Sequence, residues 1–372
     1  MNITKEKVLE ALSKVMDPDL GKDLVTLNMI DKVEIDGNNI SFEVVLTTPA
    51  CPLKEVMRKD CEKALTEQFG EGAFNMKVTF GSSVTTTRLA GAQLLPEVKN
   101  IVAVASGKGG VGKSTVTANL AVALAQAGAK VGVIDADIYG PSVPTMFNCE
   151  SEKPTVTTVN GKQMIKPIEQ YGVKLLSIGF LAPSDGAIVW RGPMATSALK
   201  QFISDAQWGD LDYLLIDLPP GTSDIHLTLV QTIPVTGAVI VTTPQKVALA
   251  DARRGFSMFK QGGVDVPILG IVENMAYFTP EELPDNKYYI FGEEGGKKLA
   301  EEKEVPLLGE IPLVQSIRES GDNGYPAALK EGVLASAFKS LAENIASQVA
   351  IRNATQEKTK VVEIKDGAGC SV

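Results

Sequence analysis

A single glycine-rich segment constrains the fold of this chain more than any other feature. Residues 107–114 have the sequence GKGGVGKS, which follows an apolar run at 101–105 and overlaps the start of an alanine-rich stretch at 113–127. The glycines let the backbone turn its N–H groups toward one point, and a helix that begins there adds positive potential. Because the pattern lies between a strand and a helix, it predicts a phosphate-binding loop in an α/β fold.

The side chains of this loop have the chemistry that a nucleoside triphosphate requires. Lys113 is expected to reach the β- and γ-phosphates and to act in catalysis, and the hydroxyl of Ser114 is expected to bind Mg²⁺. The predicted nucleotide-binding residues form one continuous run: Gly107, Lys108, Gly109, Gly110, Val111, Gly112, Lys113, Ser114 and Thr115.

Three aspartates stand at the ends of predicted strands. Asp217 ends the apolar sequence LLID, and Asp135 and Asp137 follow the apolar run at 131–134. The carboxyl ends of parallel strands meet at one edge of a sheet, so we expect Asp217 and Asp135 to join Ser114 around Mg²⁺. Asp137 is expected to position or activate the attacking water. Asp135 has a second interpretation as a turn or cap residue.

From residue 100 onward, short apolar runs alternate with helical stretches. Unbroken apolar strands between helices favour a mainly parallel sheet that is covered by helices on both faces. The fold class is therefore an α/β P-loop NTPase. The predicted strands are residues 101–105, 131–134, 175–178, 213–216, 238–242, 268–272 and 307–311.

The first 80 residues have a different pattern. Val8, Leu12 and Val15 recur at helical spacing, and a predicted helix at 54–69 lies between predicted strands at 40–46 and 76–80. This mixture indicates a small α+β domain. The predicted divisions are a small α+β domain (1–80), a linker (81–99), a P-loop ATPase domain (100–352) and a flexible tail (353–372).

Composition excludes several classes of function. The chain has 36 Lys and Arg against 45 Asp and Glu, a formal net charge of −9. An acidic protein is repelled by nucleic acid and by anionic lipid, so neither is an expected partner. No apolar run approaches the roughly 20 residues of a membrane span, and the N-terminus lacks the order of a secretory signal. A cytoplasmic location is therefore expected.

Several segments together resemble a known family. KGGVGKST, DADIYGPSVP, WRGPM, LLIDLPPGTSD, VTTPQ, GIVENM and LLGEIP occur in that order, and TTPACPL occurs near residue 50. The first segments resemble the deviant phosphate loop and strand ends of the Mrp/ApbC iron–sulfur cluster carrier ATPases. The first 80 residues resemble the iron–sulfur assembly domain that is often fused ahead of them.

The resemblance implies a homodimer that binds ATP and Mg²⁺ and works with iron–sulfur assembly factors and apo client proteins. Lys108 matches the signature lysine that reaches the nucleotide of the partner protomer and takes part in catalysis. Asn274 matches the position that recognises adenine, and Pro312 matches the loop beside the base.

The chain departs from this family at its cluster ligands. Members usually carry a Cys-x-x-Cys pair shortly after the Asn-Met of the adenine strand, and two pairs bridge a [4Fe–4S] cluster. Here that stretch is NMAYFTPEELPDNKYYIFG, without cysteine. The remaining candidate ligands are Cys51, at a predicted helix N-terminus that favours thiolate, and Cys370, near the chain end. Cys51 has a structural interpretation too; Cys61 is expected in the core and Cys149 to be incidental.

The predicted function is a slow ATPase that carries iron–sulfur clusters to apoproteins. One alternative is a cluster-free adaptor that is switched by nucleotide and recruits assembly factors. A second alternative is a spatial-organising ATPase of the septum or partition type. The acidic charge and the absence of a basic amphipathic C-terminal helix disfavour that second alternative.

Overall fold

The structure is a computed structural model. It describes residues 3–88, 94–138, 140–159, 161–181, 192–222, 224–260, 264–280, 282–283 and 286–362. The chain divides into two compact units, of which the first comprises residues 1–85 with 346–356 and the second comprises 86–345 with 357–372. Within the described ranges, no helix is both long and apolar enough to cross a bilayer.

The first unit is a small α+β structure. Its elements are α1 (Lys5–Leu12), β1 (Met16–Asp17), β2 (Lys22–Asp23), β3 (Ile30–Asp36), β4 (Asn39–Leu46), α2 (Lys54–Phe69) and β5 (Asn75–Ser82). The main sheet has the order β3-β4-β5, in which β3 is antiparallel and β5 parallel to β4. Leu12, Phe42 and Leu65 belong to its apolar core.

The predicted helix and both predicted strands of this unit are confirmed as α2, β4 and β5. The sequence did not predict β3, because acidic and basic residues interrupt its few apolar positions and none of its residues is fully buried. A strand with one solvated face gives a weaker apolar signal than a strand that is buried on both faces.

The second unit contains the larger sheet. Its elements are β6 (Val98–Ser106), α3 (Lys113–Gln126), β7 (Val131–Asp135), α4 (Val143–Met146), β8 (Thr155–Val159), β9 (Lys162–Lys166), β10 (Ile168–Gln170), β11 (Val173–Ser177), a 3₁₀ helix (Ile178–Leu181), α5 (Gly192–Ser204), β12 (Leu211–Asp217), α6 (Asp224–Thr232), β13 (Gly237–Thr242), α7 (Lys246–Met258), β14 (Ile268–Phe278), α8 (Gly295–Lys303), β15 (Leu307–Leu313), α9 (Gln315–Asp322) and a second 3₁₀ helix (Ala327–Leu329). The last helix, α10 (Val333–Thr355), begins in this unit, and its residues from 346 onward belong to the first unit.

Eight of these strands form one mainly parallel sheet. The order is β10-β11-β7-β12-β6-β13-β14-β15, and only the edge strand β10 runs antiparallel to its neighbour. Every residue of β7, β12 and β13 is buried, so both faces of the sheet are covered. The predicted α/β fold and its seven strands are confirmed, and β8 and β9 form a separate antiparallel hairpin.

Two strand ends differ from the prediction. Ile178 begins a 3₁₀ helix instead of ending β11. The strand predicted to end at residue 272 continues to Phe278, so Asn274 lies inside β14 and not after it. The pairing of β14 with β15 is irregular between Asn274 and Phe278, and Met275 has a positive φ of 55°.

Candidate functional site

The predicted phosphate loop connects the end of β6 to the start of α3. At Gly107 a side chain would collide with main-chain atoms of Asp251 and Ala252 in α7, so the loop can enter this position only as glycine. Gly112 is the N-cap of α3 and has a φ of 79°, which side-chain-bearing residues rarely adopt. Glycine is therefore required at position 107 by a close contact with α7 and is favoured at position 112 by a positive φ.

The loop lysine lies among carboxylates at the carboxyl edge of the sheet. Lys113 is only 5 % exposed, and its Nζ lies 2.8 Å from Asp217 and 3.8 Å from Asp137. The hydroxyl of Ser114 donates a 2.6 Å hydrogen bond to the Oδ2 atom of Asp217. The structure thus brings together four of the predicted site residues from the loop and from two strand ends.

Asp217 has a further partner on the helix that follows the loop. The Thr117 hydroxyl lies 2.7 Å from Oδ1 of Asp217, and it is fully buried. The sequence did not predict a role for Thr117. Its position four residues after Lys113 places both residues on the same face of α3, and this spacing could have indicated that Thr117 also contacts the site. Hydroxyl and carboxylate oxygens are the ligands that Mg²⁺ prefers, so Ser114 and Asp217 form a donor set that fits this ion.

Asp135 lies beside Asp217, because the two residues are register partners on β7 and β12. Its carboxylate is fully buried and accepts hydrogen bonds from the Ser177 hydroxyl at 2.8 Å and from the Val143 N–H at 3.3 Å. Burial, with the nearby Asp217 carboxylate, raises the pKa of Asp135 to about 7. Both sequence interpretations of Asp135 therefore have a physical basis. Its carboxylate accepts the Val143 N–H in the segment that follows β7, and it lies beside the Asp217 carboxylate at the predicted Mg²⁺ site.

A cavity of about 230 Å³ lies over the loop. Asp137 lines it together with the loop residues from Lys108 to Thr115, so the predicted water-positioning carboxylate faces the same space as the predicted phosphate ligands. Lys108 is partly exposed at this cavity, and its carbonyl accepts a hydrogen bond from the Ser106 hydroxyl at 3.0 Å.

A second cavity, of about 420 Å³, adjoins the first. The two share Gly112, Thr115, Ser142 and Met146 as lining residues. Asn274 and Pro312 line the second cavity, with Met275 and Ile317 among the apolar residues of its wall. A mainly apolar space next to a phosphate loop has the character of a base-binding pocket.

The lining of these cavities includes residues for which the sequence indicates only packing. Met146 contacts both cavities, and Met275 contacts the second. Unbranched methionine side chains adapt to irregular spaces, so a methionine in the sequence can belong equally to a core or to a pocket wall. For Met275, the available signal was its place directly after Asn274.

The described cysteines differ in burial and in pKa. Cys61 and Cys149 are completely buried, and burial raises the pKa of each thiol to about 12. Cys51 is half-buried, and burial, with the Asp17 and Asp19 carboxylates, raises its pKa. This direction is opposite to the effect expected of a helix N-terminus, because desolvation outweighs the Leu53 N–H that lowers the pKa.

The predicted partner thiol, Cys370, lies outside the described residues. In the ranges that the structure describes, no three His, Cys, Asp or Glu side chains are grouped so that they could hold a metal ion. The pairing of Cys51 with Cys370 as cluster ligands stays a prediction.

Comparison with known proteins gives two family matches. Residues 97–349 match the model described as the NUBPL iron-transfer P-loop NTPase, and residues 5–74 match the model described as an iron–sulfur cluster assembly protein. Together the two matches cover most of both units. They confirm the resemblance that the sequence motifs indicate.

Curated relatives are similar over nearly the whole chain. The "Iron-sulfur cluster carrier protein" of Synechocystis sp. is 49% identical over 94% of this chain and 99% of its own length. The protein of the same name from Escherichia coli (strain K12) is 43% identical over 92% of this chain and 91% of its own length. A nucleotide-binding protein from Archaeoglobus fulgidus, solved in complex with ADP, is 39% identical, with a TM-score of 0.55 over 64% of this chain and 91% of its own.

Proposed function

The chain belongs to the iron-transfer P-loop NTPase family, and from that premise we propose that it is a slow ATPase that carries iron–sulfur clusters to apoproteins. The observation that carries the nucleotide part is the group of Lys113, Ser114, Asp137 and Asp217 at the phosphate-loop cavity. The names of its relatives and the match of residues 5–74 to an assembly domain support the cluster part.

Each residue of the nucleotide site has a separate task in hydrolysis. Loop N–H groups and Lys113 hold the β- and γ-phosphates, and Asn274 and Pro312 lie against the adenine. Ser114 and Asp217 would hold Mg²⁺, with Asp135 beside them; when bound, the ion neutralises charge on the phosphate oxygens. A carboxylate oxygen of Asp137, which lies 3.8 Å from the Lys113 Nζ, accepts a hydrogen bond from the attacking water.

We further propose that the active form is a homodimer in which Lys108 reaches the nucleotide of the partner. Its position at the phosphate cavity and its partial exposure are consistent with this role. A lysine supplied across an interface would stabilise charge that develops on the transferred phosphoryl group, as an arginine finger does. Hydrolysis would then depend on dimerisation. It would also switch the dimer from an arrangement that holds the cluster to one that releases it.

The cluster is cargo, and Cys51 with Cys370 of each protomer is our proposed ligand set. A [4Fe–4S] cluster takes about four thiolates, which two such cysteines in each chain of a dimer would supply. The raised pKa of Cys51 means that cluster binding must displace its proton, so loading should improve as the pH rises. The buried Cys61 and Cys149 are unsuitable as ligands.

Anaerobic reconstitution with iron and sulfide tests this assignment. We expect the parent protein to bind iron and sulfide and to gain a visible absorption band, and we expect Cys51→Ser and Cys370→Ser each to bind less iron. Cys149→Ser is the matched control, because that thiol is completely buried and its Sγ lies 3.5 Å from the Pro144 carbonyl oxygen. Full iron content in the Cys51 and Cys370 double variant would reject these two ligands.

The cluster-free adaptor is the second candidate function. The raised pKa of Cys51 favours it, because a protonated thiol is a poor metal ligand. If the parent protein binds ATP but retains no iron after reconstitution, the adaptor accounts for the result and the carrier does not. The cytoplasmic location and the client proteins stay predictions under both functions.

A further inference from the structure

The side-chain amide of Asn274 contacts the phosphate loop directly. Its Nδ2 atom donates a 2.8 Å hydrogen bond to the carbonyl oxygen of Val111. The same nitrogen lies so close to Gly112 that a Cβ on this glycine would collide with it. Asn274 is 6 % exposed, so this hydrogen bond is largely protected from solvent. The residue therefore contacts the loop as well as the second cavity.

The strand that carries Asn274 is irregular from this residue onward. The Glu273 carboxylate accepts the Gly296 N–H at the start of α8, whereas Asn274 and Met275 both line the second cavity. Consecutive side chains of a regular strand point to opposite faces, so two neighbours can share one cavity only where the strand departs from regular geometry. The positive φ of Met275 provides that departure.

A second buried amide links the same parts of the unit. Asn119 on α3 donates to the Thr115 carbonyl at 2.8 Å and accepts a hydrogen bond from the Ala328 N–H at 2.9 Å. Ala328 belongs to the 3₁₀ helix that follows α9, and α9 contributes Ile317 to the wall of the second cavity. Asn119 thus joins α3 to the 3₁₀ helix that follows α9, while Asn274 joins β14 to the phosphate loop.

We propose that Asn274 is a positioning residue for the phosphate loop, in addition to any contact that it makes with a base. In a trans peptide the C=O and N–H groups point in opposite directions. By holding the Val111 carbonyl, Asn274 fixes the direction of the Gly112 N–H, which is one of the donors expected at the phosphates. This inference rests on the proposed nucleotide site and adds a link between the base cavity and the phosphate loop.

The decisive comparison is between a ligand with a base and one without. We would measure the affinities of ATP and of inorganic tripolyphosphate, both with Mg²⁺, by calorimetry on the full chain. Asn274→Ala removes the amide, and Asn274→Asp keeps its shape but replaces the donor with a carboxylate oxygen, whose charge also repels phosphate. Loss of one hydrogen bond predicts about three- to tenfold weaker tripolyphosphate binding for Asn274→Ala, with a loss at least as large for Asn274→Asp.

Ile317→Ala is the matched control. It alters the apolar wall of the second cavity, so we expect it to weaken ATP binding and to leave tripolyphosphate binding unchanged. Each variant is first compared with the parent by circular dichroism and thermal unfolding; the isosteric Asn274→Asp keeps the test open if the alanine variant unfolds.

Two results would contradict the account in different ways. Unchanged tripolyphosphate binding in both Asn274 variants, with weakened ATP binding, would limit Asn274 to base contact and overturn the positioning role. A parent protein that binds neither ligand would overturn the nucleotide site itself, and the positioning role with it.

Discussion

The hydroxyl of Ser114 and the carboxylate of Asp217 are joined by a 2.6 Å hydrogen bond between residues 103 positions apart in the sequence. The contact connects the phosphate loop to the end of β12. Lys113 extends it, since its Nζ lies 2.8 Å from the same carboxylate oxygen. The arrangement means that the loop and the strand end are positioned together, and that a change in either should alter nucleotide binding.

Lys113→Ala should greatly weaken ATP binding. The variant loses the cation that neutralises the phosphates, and hydrogen bonds to charged groups contribute about 1.5–3 kcal/mol, which corresponds to about 10- to 150-fold in affinity. Calorimetric titration with ATP and Mg²⁺ would measure this. Lys99→Ala serves as the control, because Lys99 pairs with Asp212 instead of the site carboxylates. Parental ATP affinity in the Lys113 variant would contradict the assignment of the loop.

Asp137→Ala should preserve ATP binding and slow hydrolysis. The carboxylate lines the phosphate cavity, and general-base groups contribute about 10²–10⁴ in rate. Steady-state phosphate release gives kcat, and calorimetry gives the ATP affinity of the same preparation. A variant that hydrolyses ATP at the parental rate would assign the water-positioning role to another residue.

Much of the fold follows from the sequence because central parallel strands are buried on both faces. Such strands are unbroken apolar runs, and β7, β12 and β13 all lie where such runs predict them. The phosphate loop is equally predictable, because its glycines are required by close contacts such as that of Gly107 with α7.

The features of the fold and of the site that the sequence did not predict depend on contacts between residues far apart in the chain. The positive φ of Met275 has no local signal, since methionine is not a residue that favours this conformation. The pKa of Cys51 depends on burial and on Asp17 and Asp19, more than 30 positions away in the sequence. A helix N-terminus is visible in the sequence, but the carboxylates that oppose its effect on the thiol are brought close only by folding.

Lys108→Ala should bind ATP almost normally and lose hydrolysis. If the lysine acts across a dimer interface, the loss should be about 10³–10⁵-fold, as for an arginine finger. Mixing this variant with a Lys113→Ala protein should restore part of the activity, because one composite site then contains both lysines. Hydrolysis that depends neither on Lys108 nor on protein concentration would show that the site is complete within one chain.

Asp135 should make the stability of the protein depend on pH. Its pKa is raised to about 7, whereas an unfolded aspartate titrates near 3.9. Between these values the folded protein binds a proton that the unfolded chain has released, so the free energy of unfolding falls as the pH rises from about 4 to about 7. For one proton the slope is at most about 1.4 kcal/mol per pH unit.

Asp135→Asn removes this titration, so the free energy of unfolding should change less between pH 5 and pH 8 than it does in the parent protein. Urea unfolding without nucleotide at several pH values would measure it. Asp210→Asn is the control, because an aspartate pKa already lies below that range and the ion pair of this exposed carboxylate with Lys130 lowers it further. If the pH dependence of the Asp135 variant matches that of the parent, the buried carboxylate does not hold a proton in the folded state.

Cluster transfer to an acceptor is the direct test of the carrier function. Reconstituted protein would be incubated anaerobically with an apo-enzyme that requires a [4Fe–4S] cluster, in the presence of a chelator that captures free iron, and the recovered enzyme activity would be measured. We expect the parent protein to activate the acceptor and the Cys51 and Cys370 double variant to leave it inactive. An acceptor that stays inactive with the parent protein, while chemically supplied iron and sulfide activate it without the chelator, would contradict the carrier function.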